Sequence, residues 1–131
     1  MPPPVPTTAA TFPKSARLRT KAEFDRVYAA RCKSGDGTLL IFAAANELGM
    51  TRVGLSVSRK LGGAVVRNRL KRLLREAFRQ CRPQLPAGLD LVVVPLDARR
   101  ASLQAYRDSL VRQAGLLQRR WHDRRVQGPV K

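Results

Sequence analysis

The sequence predicts a mixed α/β domain. Short apolar runs at Leu39–Ala43 and Leu89–Val94 have strand character, and the segment Arg52–Ser58 alternates apolar and small polar residues with a period of two. Between and around them, three stretches repeat apolar residues at helical spacing. The chain has 131 residues, 44% of them hydrophobic, which suits one domain with a core of its own.

Residues 1–16 are rich in Pro, Thr and Ala without periodicity, and read as a disordered arm ahead of a domain spanning 17–120. From Leu18 to Ala30, the residues Leu18, Ala22, Phe24, Val27 and Tyr28 mark an amphipathic helix, with Thr20 and Glu23 spaced as a capping box. A Gly35-Asp36-Gly37 turn leads into the first apolar strand, and a loop over Asn46–Met50 follows it. In RVGLSVS, Val53, Leu55 and Val57 face one way, and Gly54, Ser56 and Ser58 face the other. The small face is either a solvent-facing surface or a floor on which another backbone or a nucleic-acid strand can lie close.

Gly62 and Gly63 end that pattern and open AVVRNRLKRLLREAFRQC. Val66, Leu70, Leu73, Leu74, Ala77, Phe78 and Cys81 fall on one face of this helix, and Asn68, Arg72, Arg75, Arg79 and Arg82 fall opposite. Pro83 and Pro86 stop it, and Pro95 stops the strand that follows. Ser102 is placed to cap a last helix with a stripe of Leu103, Tyr106, Leu110, Val111, Ala114 and Leu117. The basic tail, residues 121–131, is expected to fray.

The chain carries 26 Lys or Arg against 9 Asp or Glu, a formal charge of +17. Such an excess points to anionic partners, nucleic acid first. Ten basic residues against the single acid Glu76 lie between Arg52 and Arg82, a clustering that a general bias toward arginine would not produce. Arginine also pairs bidentately with phosphate. Gly62-Gly63 before a helix start lacks the GxxxxGK[ST] spacing of a nucleotide-binding loop. No Ser/His/Asp constellation and no gathered carboxylates are visible, so a self-sufficient hydrolase is not indicated. Cys32 and Cys81 lie far apart without metal-ligand spacing and read as free thiols. No apolar run is long enough to span a membrane and no signal peptide is recognisable, so a cytoplasmic protein is expected.

The block Arg52–Phe78, RVGLSVSRKLGGAVVRNRLKRLLREAF, closely resembles the signature of the bacterial ribonuclease P protein component, with an RNR box at Arg67-Asn68-Arg69. The upstream RLRTKAEFDRVY, Arg17–Tyr28, looks like that family's first helix, and the resemblance covers about residues 17–117. It implies an α+β two-layer sandwich in the order αβββαβα, similar to a ribosomal-protein domain and containing a left-handed βαβ crossover. Arg31 stands where many relatives have Gly, and the first short strand, expected near Cys32–Ser34, has little support in the residues themselves.

The resemblance further implies a protein subunit of a ribonucleoprotein that removes the 5′ leader from precursor tRNA. The catalytic RNA would hold the Mg²⁺ ions, and the expected assembly has one protein per RNA. The protein would broaden substrate specificity and contribute no catalytic residue. Position by position, Arg59, Lys60, Arg67, Asn68, Arg69, Lys71, Arg72 and Arg75 match the family's region for binding the RNA subunit, and Phe24, Tyr28, Phe42, Ser56 and Ser58 match its leader-binding cleft. From their spacing alone, the three aromatic residues read as core. The competing readings are an RNA-binding protein of related fold and a stand-alone nuclease.

Overall fold

The computed structural model describes residues 14–126. Its helices are α1 (Lys21–Ala29), α2 (Ala64–Cys81) and α3 (Leu103–Val126); its strands are β1 (Cys32–Gly35), β2 (Leu39–Ala45), β3 (Arg52–Leu55) and β4 (Leu89–Pro95). The order along the chain is αβββαβα, as the family resemblance implies. In the sheet the strands lie β1-β2-β4-β3, antiparallel except for the parallel β3–β4 pair, which α2 connects. A parallel neighbour cannot be reached by a tight turn, so the long basic helix is the crossover that this pairing requires.

One sheet face is buried throughout. Leu39, Ile41, Ala43, Leu91 and Val93 are fully covered and pack with Leu70, Leu74, Phe78, Tyr106, Leu110 and Leu117 from α2 and α3. The apolar stripes read from helical spacing are therefore the faces that meet the sheet. Leu40, Phe42 and Val94 alternate onto the opposite face and remain half-buried, because α1 covers only part of it.

Local sequence explains most element ends. Thr20 Oγ1 accepts the Glu23 N–H at 3.2 Å while Glu23 Oε1 accepts the Thr20 N–H at 3.0 Å, closing the expected capping box. Ser102 Oγ accepts the Ala105 N–H at 3.0 Å at the start of α3. Asp36 accepts from the backbone N–H groups of Thr38 and Leu39, at 2.8 and 2.9 Å, and from Ser109 Oγ at 2.8 Å and Arg112. One carboxylate thus shapes the β1–β2 turn and fastens it to α3. Cys32 and Cys81 are buried free thiols, and burial pushes the Cys81 thiol up to about 11.

The structure departs from the sequence reading in three places and bears out a weakly signalled strand in a fourth. The domain begins before Arg17: residues Lys14–Ala16 form a 3-10 turn in which Ala16 is fully buried, while residues 1–13 of the expected arm lie outside the described residues. Strand β1 forms despite its weak signal, because β2 offers it a full edge, and Arg31 adopts φ 56° where a glycine would have been unstrained. Strand β3 stops at Leu55, so the alternation through Ser58 is not all strand. The tail expected to fray is helical through Val126, since Trp121 packs against the clusters on both sides of the sheet; residues 127–131 lie outside the described residues.

Burial alone would raise the Asp36 pKa, but the Leu39 and Thr38 N–H groups, Ser109 and Arg112 together lower it from 3.8 to about 2. A depressed carboxylate stabilises the fold above its unfolded pKa, and that contribution disappears as pH falls through the folded value. We expect Asp36→Asn to cost about 1.5–3 kcal/mol at neutral pH, the range for hydrogen bonds to a charged group. The variant should also lose less stability than the parent protein between about pH 4 and pH 2, as urea unfolding at each pH would report.

Candidate nucleic-acid interface

The half-covered sheet face carries the first candidate surface, and its geometry depends on where α1 is held. Asp90, at the start of β4, is completely buried and accepts from Arg52 Nε at 2.8 Å and Nη2 at 2.7 Å, from Asn46 Nδ2 at 2.7 Å, and from Arg26 of α1. Arg52 also reaches Glu23 of α1 at 3.3 Å, and Arg26 donates to the Ala45 carbonyl at 3.1 Å. Burial opposes ionisation of Asp90, but the Arg52 and Asn46 hydrogen bonds and the two guanidinium charges outweigh it and hold the carboxyl below its usual range. These bonds pin one side of α1 to the β2–β4–β3 end of the sheet.

Glycine lets the helix come close. An added Cβ at Gly54 would lie 2.5 Å from Phe24 Cζ and 2.9 Å from Leu18 Cβ. Of the two roles open to the small face of RVGLSVS, a close approach by the chain's own residues therefore accounts for Gly54. The Ser56 N–H donates to the Val93 carbonyl at 3.0 Å, which prolongs the pairing with β4 and places Ser56 on the Gly54 side of the sheet. Ser58 acts elsewhere: its hydroxyl caps the Arg59–Leu61 turn by accepting the Lys60 N–H at 3.0 Å.

Phe24, Tyr28 and Phe42 come together on this face. Tyr28 meets Phe42 edge to face with ring centroids 4.8 Å apart, and all three remain half-buried around Leu18, Val27, Ala44 and Val92. They are thus partly core, as their spacing suggested, and partly accessible. Lys33 of β1 places its ammonium 5.9 Å from the Phe42 ring centroid. Sequence reasoning passed over Lys33 because the strand that carries it was barely legible.

The second surface is the outer side of α2 with the turn before it. Arg59, Lys60, Asn68, Arg69, Arg72 and Arg75 are exposed, and Arg67 and Lys71 are intermediate. All eight candidates thus lie along one helix and its entry turn. Arg67 Nε donates to the Gly62 carbonyl at 3.3 Å, so the first residue of the RNR box also braces the turn that starts the helix. Gly62, at φ 147°, has Val66 packed where a Cβ would sit. The one acid of the stretch, Glu76, is engaged by Arg79 and by Gln80 Nε2, and the Arg79 hydrogen bond is the main reason its pKa falls to about 2. Arg69, Arg72 and Arg75 border a groove of about 450 Å³ whose far side includes Arg17, a residue the motif did not single out.

Residues 12–119 match the family model Ribonuclease P. The chain belongs to the ribonuclease P protein family. It is 45% identical over 92 residues to the ribonuclease P protein component of Methylococcus capsulatus, covering 70% of this chain and 71% of that one. It is also 37% identical over 110 residues to the component of Roseiflexus castenholzii, covering 80% and 90% respectively. Its fold is similar to that of the ribonuclease P protein from Thermotoga maritima, with a TM-score of 0.67 at 30% identity, covering 79% of this chain and 96% of that one. The Staphylococcus aureus protein gives a TM-score of 0.68 at 28% identity, covering 79% and 95%. As a ribonuclease P protein component, the chain is the auxiliary protein subunit of the endoribonuclease of tRNA 5′ processing and works with an RNA subunit.

Gly54→Ala tests how α1 is seated. We expect a loss of about 1–3 kcal/mol, the usual cost of forcing extra volume into a packed site, with the Phe24 ring displaced. Chemical denaturation and the ring's NMR shifts would read the two effects.

Proposed function

We propose that this ribonuclease P protein binds the single-stranded 5′ leader of precursor tRNA on the α1 side of the sheet and the catalytic RNA along the basic face of α2. The observation that carries the reading is the aromatic group Phe24, Tyr28 and Phe42, left half-open on a sheet face with Lys33 beside it. Bases stack on aromatic faces for about 1–3 kcal/mol each without demanding a sequence, which suits a leader that differs from one tRNA to the next. Ser56, half-buried on the same face, can offer a hydroxyl to the strand. Ser58 serves as a cap and contributes by shaping the turn that carries Arg59 and Lys60.

The α2 face supplies the electrostatics. Arg69, Arg72 and Arg75 can each meet a phosphate, and Asn68 adds directed hydrogen bonds among them. Positive charge between two polyanions lowers their repulsion, and leader contacts remote from the cleaved bond add binding energy and broaden the range of tRNAs accepted. The described residues include no group of three His, Cys, Asp or Glu side chains able to hold a metal ion. In this reading the Mg²⁺ ions belong to the RNA subunit and the substrate. The proposal has one protein per RNA and a cytoplasmic site of action. Among the described residues, no helix is long and apolar enough to cross a membrane.

The central test is cleavage of precursor tRNA at low Mg²⁺ by the RNA subunit alone, the protein alone, and both together. Activity that requires the RNA and is raised by the protein is the expected result, whereas cleavage by RNA-free protein would overturn the division of labour. Phe42→Ala should weaken binding of precursor tRNA by about five- to a hundredfold, corresponding to one stacked base, and leave mature tRNA binding unchanged; equal losses would mean that Phe42 is only core. Arg69→Ala with Arg72→Ala should weaken assembly with the RNA subunit and lower the salt slope of binding by about 2, which a titration at several salt concentrations would show.

A further inference from the structure

The basic row along α2 is interrupted once. Arg69, Arg72, Glu76 and Arg79 follow one another at spacings of three, four and three residues, which sets them in a single row on a helix. All four line the groove of about 450 Å³, and Glu76 is the one acid among the described residues that line it. An acid in the middle of a row of cations works against the charge that the rest of the helix supplies.

Glu76 is held in place on that surface. Arg79 donates to it through Nε, at 2.9 Å, and through Nη2, so the two-pronged edge with which arginine grips a phosphate is already occupied by a carboxylate. Gln80 Nε2 donates to the same carboxylate at 2.7 Å, and Gln80 Oε1 accepts from Arg107 Nη1 of α3 at 2.7 Å. Arg107 also donates to Gln104, whose Nε2 donates to Asp108 at 2.8 Å. A chain of hydrogen bonds from α3 thus fixes the acid that engages Arg79. The pKa of Glu76 falls to about 2, chiefly through the Arg79 bond, so the carboxylate is ionised at neutral pH. A half-exposed pair at this spacing contributes little to stability, and folding alone gives little reason for an acid here.

We propose that Glu76 is a selectivity residue: by engaging Arg79 it withholds that cation from phosphate and ends the RNA-binding row at Arg72 and Arg75. The inference rests on the reading that α2 meets the catalytic RNA, and adds how the same helix avoids gripping other RNAs. Phosphate contacts carry no sequence information, so an unbroken row of arginines strengthens binding to any polyanion. A catalytic RNA that docks in one register has phosphates where Arg69, Arg72 and Arg75 stand, and gains little from a further cation. An RNA without that fit binds in many registers, and a further free cation strengthens all of them. Selectivity is a difference of affinities, and weakening the second kind of binding serves it as well as strengthening the first.

The experiment titrates the full chain, Glu76→Gln, and Glu76→Gln combined with Arg79→Gln against the catalytic RNA and against a ribosomal RNA fragment of matched length, at several salt concentrations. Glu76→Gln is expected to bind the ribosomal fragment about three- to tenfold more tightly at low salt, with a salt slope steeper by about 0.7–0.9, the value for one further phosphate contact. The catalytic RNA is expected to gain less, so the ratio of the two affinities falls. In the double variant, which has neither the acid nor the cation, the ratio and the slope are expected to return to those of the parent protein. A purely structural role for Glu76 would produce neither the steeper slope nor the return. Equal gains for both RNAs, or a ratio unaltered by Glu76→Gln, would overturn the proposal. So would a double variant as unselective as Glu76→Gln, because the acid would then act by itself and not through Arg79. Arg69→Ala with Arg72→Ala separates this role from the reading beneath it. If that protein assembles normally with the catalytic RNA, both fall; if it assembles weakly while Glu76→Gln keeps the parent ratio, only the role of Glu76 fails.

Discussion

The buried carboxylate of Asp90 is the constraint on which the working face of this protein depends. It lies at 0% exposure where β4 begins and gathers donors from α1, from β3 and from the loop between β2 and β3. Leaving such a charge without its partners typically costs about 3–5 kcal/mol. The exposed Lys21–Asp25 pair, by contrast, falls among surface pairs worth about 0.2–1 kcal/mol. Asp90 therefore decides where α1 sits, and α1 decides how much of the sheet face stays open.

The two sides of the sheet differ in how completely they are covered. One side buries Leu39, Ile41, Leu91 and Val93 under α2 and α3, and supplies most of the apolar burial. The other side is underfilled, with one short helix over four strands, so its aromatic side chains keep accessible area. Helix α2 is covered on one face only: Leu70, Leu74, Ala77 and Phe78 are buried, while Arg69, Arg72 and Arg75 project outward. A ribonuclease P protein this small can carry a charge of +17 because the densest part of that charge stands on a helix anchored by its opposite face.

Much of this was legible from local pattern. The α2 faces follow from helical spacing, the capping box from Thr20 and Glu23, the α3 cap from Ser102, and the family from the motif around the RNR box. Three things were less legible. Strand β1 has no strong propensity in Cys32-Lys33-Ser34-Gly35 and forms because β2 presents an unpaired edge. The helical extent of the tail rests on Trp121 finding apolar partners on other elements. The role of Asp90 was hidden because its main partners are 38, 44 and 64 residues away.

By itself, the sequence determined the elements, the amphipathic faces and the family, because each of these is set by side chains near one another along the chain or by a contiguous motif. Only the tertiary structure decided which readings of the small and aromatic residues applied. Gly54 is small because Phe24 and Leu18 lie against it, Ser58 is a cap, and Phe24, Tyr28 and Phe42 are a half-open cluster rather than closed core. The physical reason is that burial depends on how completely one element covers another. That coverage was set by long-range hydrogen bonds to a single aspartate and by the close approach a glycine permits, neither of which leaves a periodic trace in the sequence.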